Sequence, residues 1–323
     1  MQAWFARQYG GPEVLRLEET PMPIPARNQL LVRVHATSVS SGDRRVRSCD
    51  LPPGTKLLGR LALGWNGPRQ PILGTEYSGV VEAVGAEVSS FKVGDPVYAF
   101  PGGKMGAHAQ YVLVNETGPV AHLPGGLNFH QAAALCFGGT TAIHFLRKAN
   151  LLSGESVFVL GGSGAVGLAM VQLARHRGAH VTATTSAANG VLLLAHGTDV
   201  VIDYRTTDVT TLSERFDIIA DCVGALNFPQ AQNLLKPNGR YLAIAGALRE
   251  MLGALRKGKN NTSMIAGPAG ELATDIRELG RLAASGLFRP HIDKVFAFGD
   301  MPLAHAYVDT GRKRGSVIID VGQ

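Results

Sequence analysis

Three glycines, Gly162, Gly164 and Gly167, stand in G-x-G-x-x-G order directly after the apolar run Val157-Phe158-Val159-Leu160. The residues that follow, Leu168-Ala169-Met170-Val171-Gln172-Leu173-Ala174-Arg175, are apolar at helical spacing. The last glycine therefore falls at a helix N-terminus, where free N–H groups and the helix dipole favour a phosphate. Strand, glycines and helix together specify a turn for the pyrophosphate of a dinucleotide, which the glycines alone would not. The residue that selects the adenosine ribose belongs about twenty positions further on. There the strand His180-Val181-Thr182-Ala183-Thr184 runs into Thr185-Ser186-Ala187-Ala188-Asn189, with no Asp or Glu. With hydroxyls and no carboxylate at that point, NADP(H) is favoured over NAD(H). A 2′-phosphate also calls for a cation, and Arg205 or the cluster Arg312-Lys313-Arg314 would have to supply it through space.

The elements that must hold this turn are legible from pattern. From the N-terminus to about Asn115, short β-type runs alternate with Gly/Pro turns: residues 30–36, 79–85, 95–99 and 109–114, a barrel-like β domain. From about Leu127 helices and strands alternate: a helix over 129–150, the strand at Val157 and its helix, then strands at 181–184, 200–202, 217–220, 239–244 and 262–265. That alternation predicts an α/β, doubly wound parallel sheet. A helix through Leu282 and two runs, 295–298 and 317–319, then return to complete the first domain. The expected division is 1–125 with 270–323, and 126–269.

Composition narrows the class. The chain has 323 residues, 45% hydrophobic, which suits an enzyme of two domains. No apolar run is long enough to span a bilayer and residues 1–7 lack the apolar core of a secretory signal, so a cytoplasmic protein with no membrane role is expected. Cys49, Cys136 and Cys222 lack C-x-x-C spacing and read as reduced thiols. The net charge of +6 is spread over separate Arg/Lys groups without interleaved aromatics, so no nucleic-acid partner is expected. Residues 248–261 mix Arg249, Arg256, Lys257 and Lys259 with Met251, Leu252 and Leu255, a pattern for a mobile lid or an oligomer contact.

Ordered motifs along the whole chain resemble the medium-chain dehydrogenase/reductase superfamily, in its zinc-free quinone oxidoreductase branch that includes zeta-crystallin. They are Tyr9-Gly10-Gly11-Pro12-Glu13-Val14-Leu15, Ser38-Val39-Ser40-Ser41-Gly42-Asp43, Gly74-Thr75-Glu76-Tyr77-Ser78-Gly79, Phe91-Lys92-Val93-Gly94-Asp95, Gly139-Thr140-Thr141-Ala142, and Ala304-His305-Ala306-Tyr307-Val308-Asp309-Thr310-Gly311. The resemblance implies a GroES-like β-barrel catalytic domain beside a Rossmann domain, and a homodimer. Zinc alcohol dehydrogenases of this superfamily carry Cys at the position of Ser40, Gly-His-Glu where this chain has Gly74-Thr75-Glu76, and a third ligand near Ala133. Cys136 alone cannot replace three protein ligands. No metal is therefore expected, and Glu76 reads as a structural remnant. Alcohol oxidation loses the metal that would lower the alcohol pKa. Hydride transfer from NADPH to a small-molecule quinone or α,β-unsaturated carbonyl remains, with hydrogen-bond donors stabilising the developing oxyanion. Alternatives are an enoyl-thioester reductase using the basic 44–69 region, and a non-catalytic NADPH- or RNA-binding relative.

The resemblance also implies site residues. Ser40 and Arg45 replace an Asn and a Tyr found near the nicotinamide in quinone reductases; Ser40 would donate a hydrogen bond and Arg45 would stabilise an oxyanion. The alternative for residues 44–47 is a helical turn with its arginines in water. Asp43 would cap that turn, and His108 is a candidate proton donor or else a packing residue. Thr141 matches a cofactor-contacting threonine, Gly162, Ser163, Gly164, Ala165 and Val166 the pyrophosphate loop, and Thr184, Ser186 and Tyr204 the adenosine-phosphate end. Val223, Ala245, Gly246 and Gly267 follow strand ends, where open α/β sheets bind ligands.

Overall fold

The computed structural model describes residues 1–50, 56–246 and 258–322. It divides into two compact units, Met1–Thr140 with Glu271–Gly286 and Pro290–Gln323, and Thr141–Gly270 with Leu287–Arg289. The expected lid or contact segment lies outside the described residues from Leu248 to Lys257. In chain order the elements are β1 (Gln2–Ala6), β2 (Leu15–Glu19), β3 (Gln29–Ser38), α1 (Ser41–Ser48), α2 (Lys56–Leu63), β4 (Tyr77–Val84), β5 (Pro96–Ala99), β6 (Tyr111–Asn115), β7 (Val120–His122), α3 (Phe129–Ala133) and α4 (Cys136–Lys148). There follow β8 (Ser156–Leu160), α5 (Ala165–His176), β9 (His180–Thr185), α6 (Gly190–Ala195), β10 (Val200–Asp203), β11 (Phe216–Asp221), α7 (Phe228–Leu234), β12 (Leu235–Ala243), β13 (Ser263–Ala266), α8 (Ala273–Ala284), β14 (Ile292–Ala297), α9 (Met301–Asp309) and β15 (Ser316–Asp320).

In the first unit a mixed sheet runs β14-β15-β3-β4-β5-β7, with β6 also paired to β3. Strand β3 is central, pairing antiparallel with β15, β4 and β6. Most of its residues are buried, and the half-buried Arg33 and His35 alternate with buried Val32, Val34 and Ala36. Register shifts at Leu31/Val32 and Val34/Ala36 bend the sheet around a core of Leu30, Val32, Val34, Tyr77, Val81, Val97, Val112 and Val120.

The second unit is a parallel sheet in the order β10-β9-β8-β11-β12-β13. The order reverses between β8 and β11, and that reversal opens the crevice beyond the strands' carboxyl ends. Val157, Phe158, Val159, Ile218, Ile219 and Ala220 are fully or almost fully buried, as expected of central parallel strands covered on both faces.

The single helix expected over 129–150 is two. Ala134 closes α3 with φ −89° and ψ 0°, and α4 restarts at Cys136. The Glu76 carboxylate accepts the Phe137 N–H at 2.6 Å, satisfying one of the free donors of the new helix start. Ala133 and Ala134 pack with Ala36 and Ile318, so α3 belongs to the first unit, which continues to Thr140 rather than ending at 125.

Candidate functional site

The turn after β8 is built by contact. A side-chain carbon at Gly167 would lie 2.2 Å from the Gly161 carbonyl oxygen, so only glycine lets α5 start this close to the strand end. The Thr184 hydroxyl, at the end of β9, accepts the Gly161 N–H at 3.0 Å and fixes the turn from the neighbouring strand. Gly164 is the N-cap of α5 and has no side chain to occupy the helix's first N–H groups, and the first turn holds no acidic residue. A carbon added at Gly164 would meet nothing nearer than 3.7 Å. The helix start is thus open and donor-rich, and it fits a pyrophosphate.

Beyond the end of β9, Ser186 Oγ and Ser163 Oγ both lie within reach of Asn189 Nδ2, at 3.3 and 3.5 Å. Thr185 differs from expectation. Its hydroxyl is buried without a hydrogen-bond partner among the described residues, because β9 turns it inward, so Ser186 is the remaining hydroxyl there. Tyr204 and Arg205 are exposed on the turn after β10, with the guanidinium carbon 5.9 Å from the Tyr204 ring centroid, and the Tyr204 N–H bonds the Thr185 carbonyl at 3.2 Å. Of the Arg312-Lys313-Arg314 cluster, which belongs to the first unit, Arg314 pairs with Asp293 and Lys313 Nζ donates to the Gly315 carbonyl, while the Arg312 side chain is exposed. Arg205 is therefore the candidate cation that stands in the nucleotide unit.

Two carboxylates organise this region and escaped sequence reasoning. Asp203, at the end of β10, accepts the N–H groups of Ala187 and Arg205, which ties the β9 and β10 turns together. Asp221, fully buried at the end of β11, accepts from the N–H groups of Val223, Gly224, Ala225 and Leu226 at 2.7–3.1 Å and from the Tyr241 hydroxyl at 2.9 Å. It shapes the loop that carries Val223, which is 60% exposed and abuts Gly161. An Asp at a strand end before a Cys-Val-Gly turn was the available signal. Ala245 N–H bonds the Asp221 carbonyl, Gly246 N–H bonds the Ala243 carbonyl, and Gly267 follows β13 at φ +121°. Thr141 sits within α4, half-buried. His144 Nδ1 accepts the Gly270 N–H at 3.0 Å and holds the end of the loop after β13.

The catalytic candidates of the first unit fare differently. Ser40 is the N-cap of α1: its Oγ accepts the Gly42 and Asp43 N–H groups and donates to Asp43 Oδ2 at 2.6 Å, while the Ser40 N–H bonds the same carboxylate. The cap is therefore Ser40 with Asp43 as its reciprocal partner, not Asp43 itself, and the hydroxyl's single proton is committed inside the protein. His108 was the candidate proton donor. It is wholly buried, with Nε2 2.9 Å from the Ser38 carbonyl and its ring edge-on to His305 at 5.4 Å. Desolvation holds both imidazoles below the usual histidine range, so they stay neutral, and His108 has no exposed atom with which to reach a substrate. The arginines of α1 do not all face water: Arg47 is 1% exposed with its Nη2 2.6 and 2.8 Å from the two Asp309 carboxylate oxygens, Arg44 pairs with Asp50 and Asp309, and Arg45 is exposed. Within the basic 44–69 region Arg69 also has an internal partner, donating to the Leu61 carbonyl.

Glu76 is buried, accepting from Ser38 Oγ at 2.5 Å as well as from Phe137 N–H. Burial raises its pKa to about 7, against the pull of those hydrogen bonds. Burial also drives the Cys136 thiol well above its ordinary value, so Cys136 is a packed thiol and not a nucleophile. Among the described residues there is no group of three or more His, Cys, Asp or Glu side chains arranged to hold a metal ion.

A parallel sheet with this order, and a glycine turn where the order reverses, define a dinucleotide-dependent oxidoreductase fold. The alcohol dehydrogenase GroES-like domain matches residues 26–125 and the zinc-binding dehydrogenase domain matches residues 196–319. The 2-methylene-furan-3-one reductase of Solanum lycopersicum is 32% identical, over 99% of this chain and 79% of its own length. The quinone oxidoreductase of Sus scrofa is 34% identical over 76% of this chain and 73% of its own. The solved quinone oxidoreductase of Coxiella burnetii superposes with a TM-score of 0.86 at 28% identity, covering 100% of this chain and 99% of that one. The chain belongs to the medium-chain dehydrogenase/reductase superfamily, in its quinone oxidoreductase branch.

Proposed function

We propose that the protein is a zinc-independent reductase that takes hydride from NADPH to a quinone or an α,β-unsaturated carbonyl. The observation that carries this reading is the open, glycine-capped start of α5 at the reversal of the parallel sheet. The names of the tomato and pig relatives, an enone reductase and a quinone reductase, support the substrate class. NADPH is the preferred donor because β9 ends in hydroxyl residues and Arg205 stands exposed on the adjoining turn. Bound nicotinamide supplies the hydride equivalent.

The chain's own contribution is positional and electrostatic. The N–H groups of the first turn of α5 and the Gly162-Ser163-Gly164-Ala165-Val166 turn hold the pyrophosphate. Ser186, Tyr204 and Arg205 hold the ribose phosphate. Thr141, Val223, Ala245, Gly246 and Gly267 line the ribose and nicotinamide, with the Val223 loop set by Asp221. Thr184 acts by fixing Gly161. Arg45, exposed on α1, remains the donor for the oxyanion, since Ser40 and His108 are committed internally. The balancing proton comes from water. Zinc independence rests on Ser40 and Thr75 where zinc enzymes of the superfamily have ligands. The free thiols Cys49, Cys136 and Cys222 support a reducing compartment, the cytoplasm; no helix among the described residues is long and apolar enough to cross a membrane. A homodimer is the state to test by light scattering.

The deciding experiment is loss of reduced-nicotinamide absorbance with a quinone, an alkenal and a crotonyl thioester, using NADPH or NADH, with and without a chelator. Chelator-resistant turnover of the quinone or alkenal, faster with NADPH, supports the reading. Chelator-sensitive alcohol oxidation, or cofactor binding with no turnover of any acceptor, overturns it.

A further inference from the structure

A groove of about 600 Å³ opens on the first unit, lined by residues of β5, β7 and α8 and the loops around them, with nothing from the glycine turn. Its volume is in the range of small-molecule sites, roughly 300–1,000 Å³. One side is apolar and aromatic: Phe91, Tyr98, Leu123 and Pro124, with the Phe91 and His122 rings 4.7 Å apart. The other side is α8, which buries Ile276, Leu279, Leu282 and Ala283 and turns Arg277 and Arg281 outward. Four residues apart on a helix, the two arginines share one face.

Neither guanidinium has a hydrogen bond or an ion pair among the described residues. This contrasts with Arg7, Arg44, Arg47, Arg240 and Arg314, which all have carboxylate partners. The carboxylate that also lines the groove, Glu116, is occupied by the Ser89 and Ser90 N–H groups, and these hold its pKa below the ordinary range. His122 is placed by the Ser90 carbonyl at 3.3 Å and lies 3.9 Å from Asp95.

The groove is held open by construction. Tyr98 donates its hydroxyl to the Ile276 carbonyl at 2.5 Å, which pins α8 to the barrel. Gly280 makes that approach possible, because a side-chain carbon there would stand 2.4 Å from the Tyr98 oxygen and 3.1 Å from Pro124. Glycine is a poor helix former beside alanine, and here it leaves the floor beneath the two arginines without a side chain.

We propose that this groove is a second ligand site that takes a small organic anion with a flat apolar body, an aryl carboxylate or sulfonate. Its head lies between Arg277 and Arg281, and its body rests on Phe91, Leu123 and Pro124. A forked guanidinium pair recognises a carboxylate or sulfonate by charge-assisted hydrogen bonds, and the aromatic wall supplies the apolar contact.

The test is fluorescence titration of the full chain, saturated with NADPH, with anilinonaphthalene sulfonate and with its analogue lacking the sulfonate. The expected result is saturable binding of one probe per chain that weakens at least about tenfold in R277A/R281A and for the analogue, as loss of charge-assisted bonds requires. Ala284 is exposed, so Ala284→Trp should fill the groove and abolish binding without changing the far-UV circular dichroism. Absence of binding, equal affinity of the analogue, or binding unchanged in R277A/R281A and Ala284→Trp overturns the proposal.

Discussion

The carboxyl ends of β8 to β11 and the corner around Ser40, Asp43 and Glu76 use polar residues in opposite ways. In the nucleotide unit, buried groups such as Asp221 and Thr184 spend their hydrogen bonds on backbone N–H groups, and the loops so shaped leave the start of α5 open. In the first unit the polar side chains bond one another: Ser40 to Asp43, Ser38 to Glu76, Arg47 to Asp309. The first arrangement prepares backbone for a ligand. The second consumes the groups that sequence alone offers as catalysts, and leaves Arg45 exposed.

The strongest way to break this contrast is to remove Asp221. Asp221→Ala orphans four loop N–H groups, with the Tyr241 hydroxyl left to the Leu226 carbonyl, and should cost about 3–5 kcal/mol in chemical denaturation. A loss near zero would mean that the Val223 loop is shaped by something else.

Glu76 gives the pH test of the other region. Its folded pKa of about 7 is raised from 4.5, so the folded protein keeps this proton where the unfolded chain has lost it. The associated stability is present below pH 4.5 and is lost as pH rises through about 7, amounting to as much as about 3 kcal/mol. His108 and His305, with lowered pKa values, act in the opposite sense, losing stability as pH falls below 6.5. Denaturation of Glu76→Gln and of the parent from pH 5 to 8 isolates the carboxyl, since glutamine mimics its neutral form; parallel curves would refute the assignment.

Three smaller effects sharpen the comparison. Gly167→Val forces α5 off the Gly161 carbonyl and should weaken NADPH binding about a hundredfold by calorimetry, near 2.7 kcal/mol. Arg205→Ala should cost about tenfold in NADPH affinity and leave NADH unchanged; an equal loss for both would remove Arg205 from phosphate binding. Ser40→Ala should lose about 1 kcal/mol of stability as a helix cap while kcat stays within about threefold. A large fall in kcat at full stability would return Ser40 to the catalytic role.

The parallel sheet, the glycine turn and the absence of an acid after β9 were all legible in the sequence, because strand periodicity and a tight turn are local properties of consecutive residues. So was the family, through motifs in order along the chain. The break between α3 and α4 was not, since it depends on Glu76 reaching a helix start some sixty residues away. The sequence left His108 between a proton donor and a packing residue, and packing against His305 decided it. Asp221 and Asp203 were unremarked acids until the strands brought loop N–H groups to them. Local pattern determined the elements and the phosphate turn. Tertiary structure decided which polar groups remain free to act, because a hydrogen bond between residues distant in sequence exists only once the sheet has brought them together.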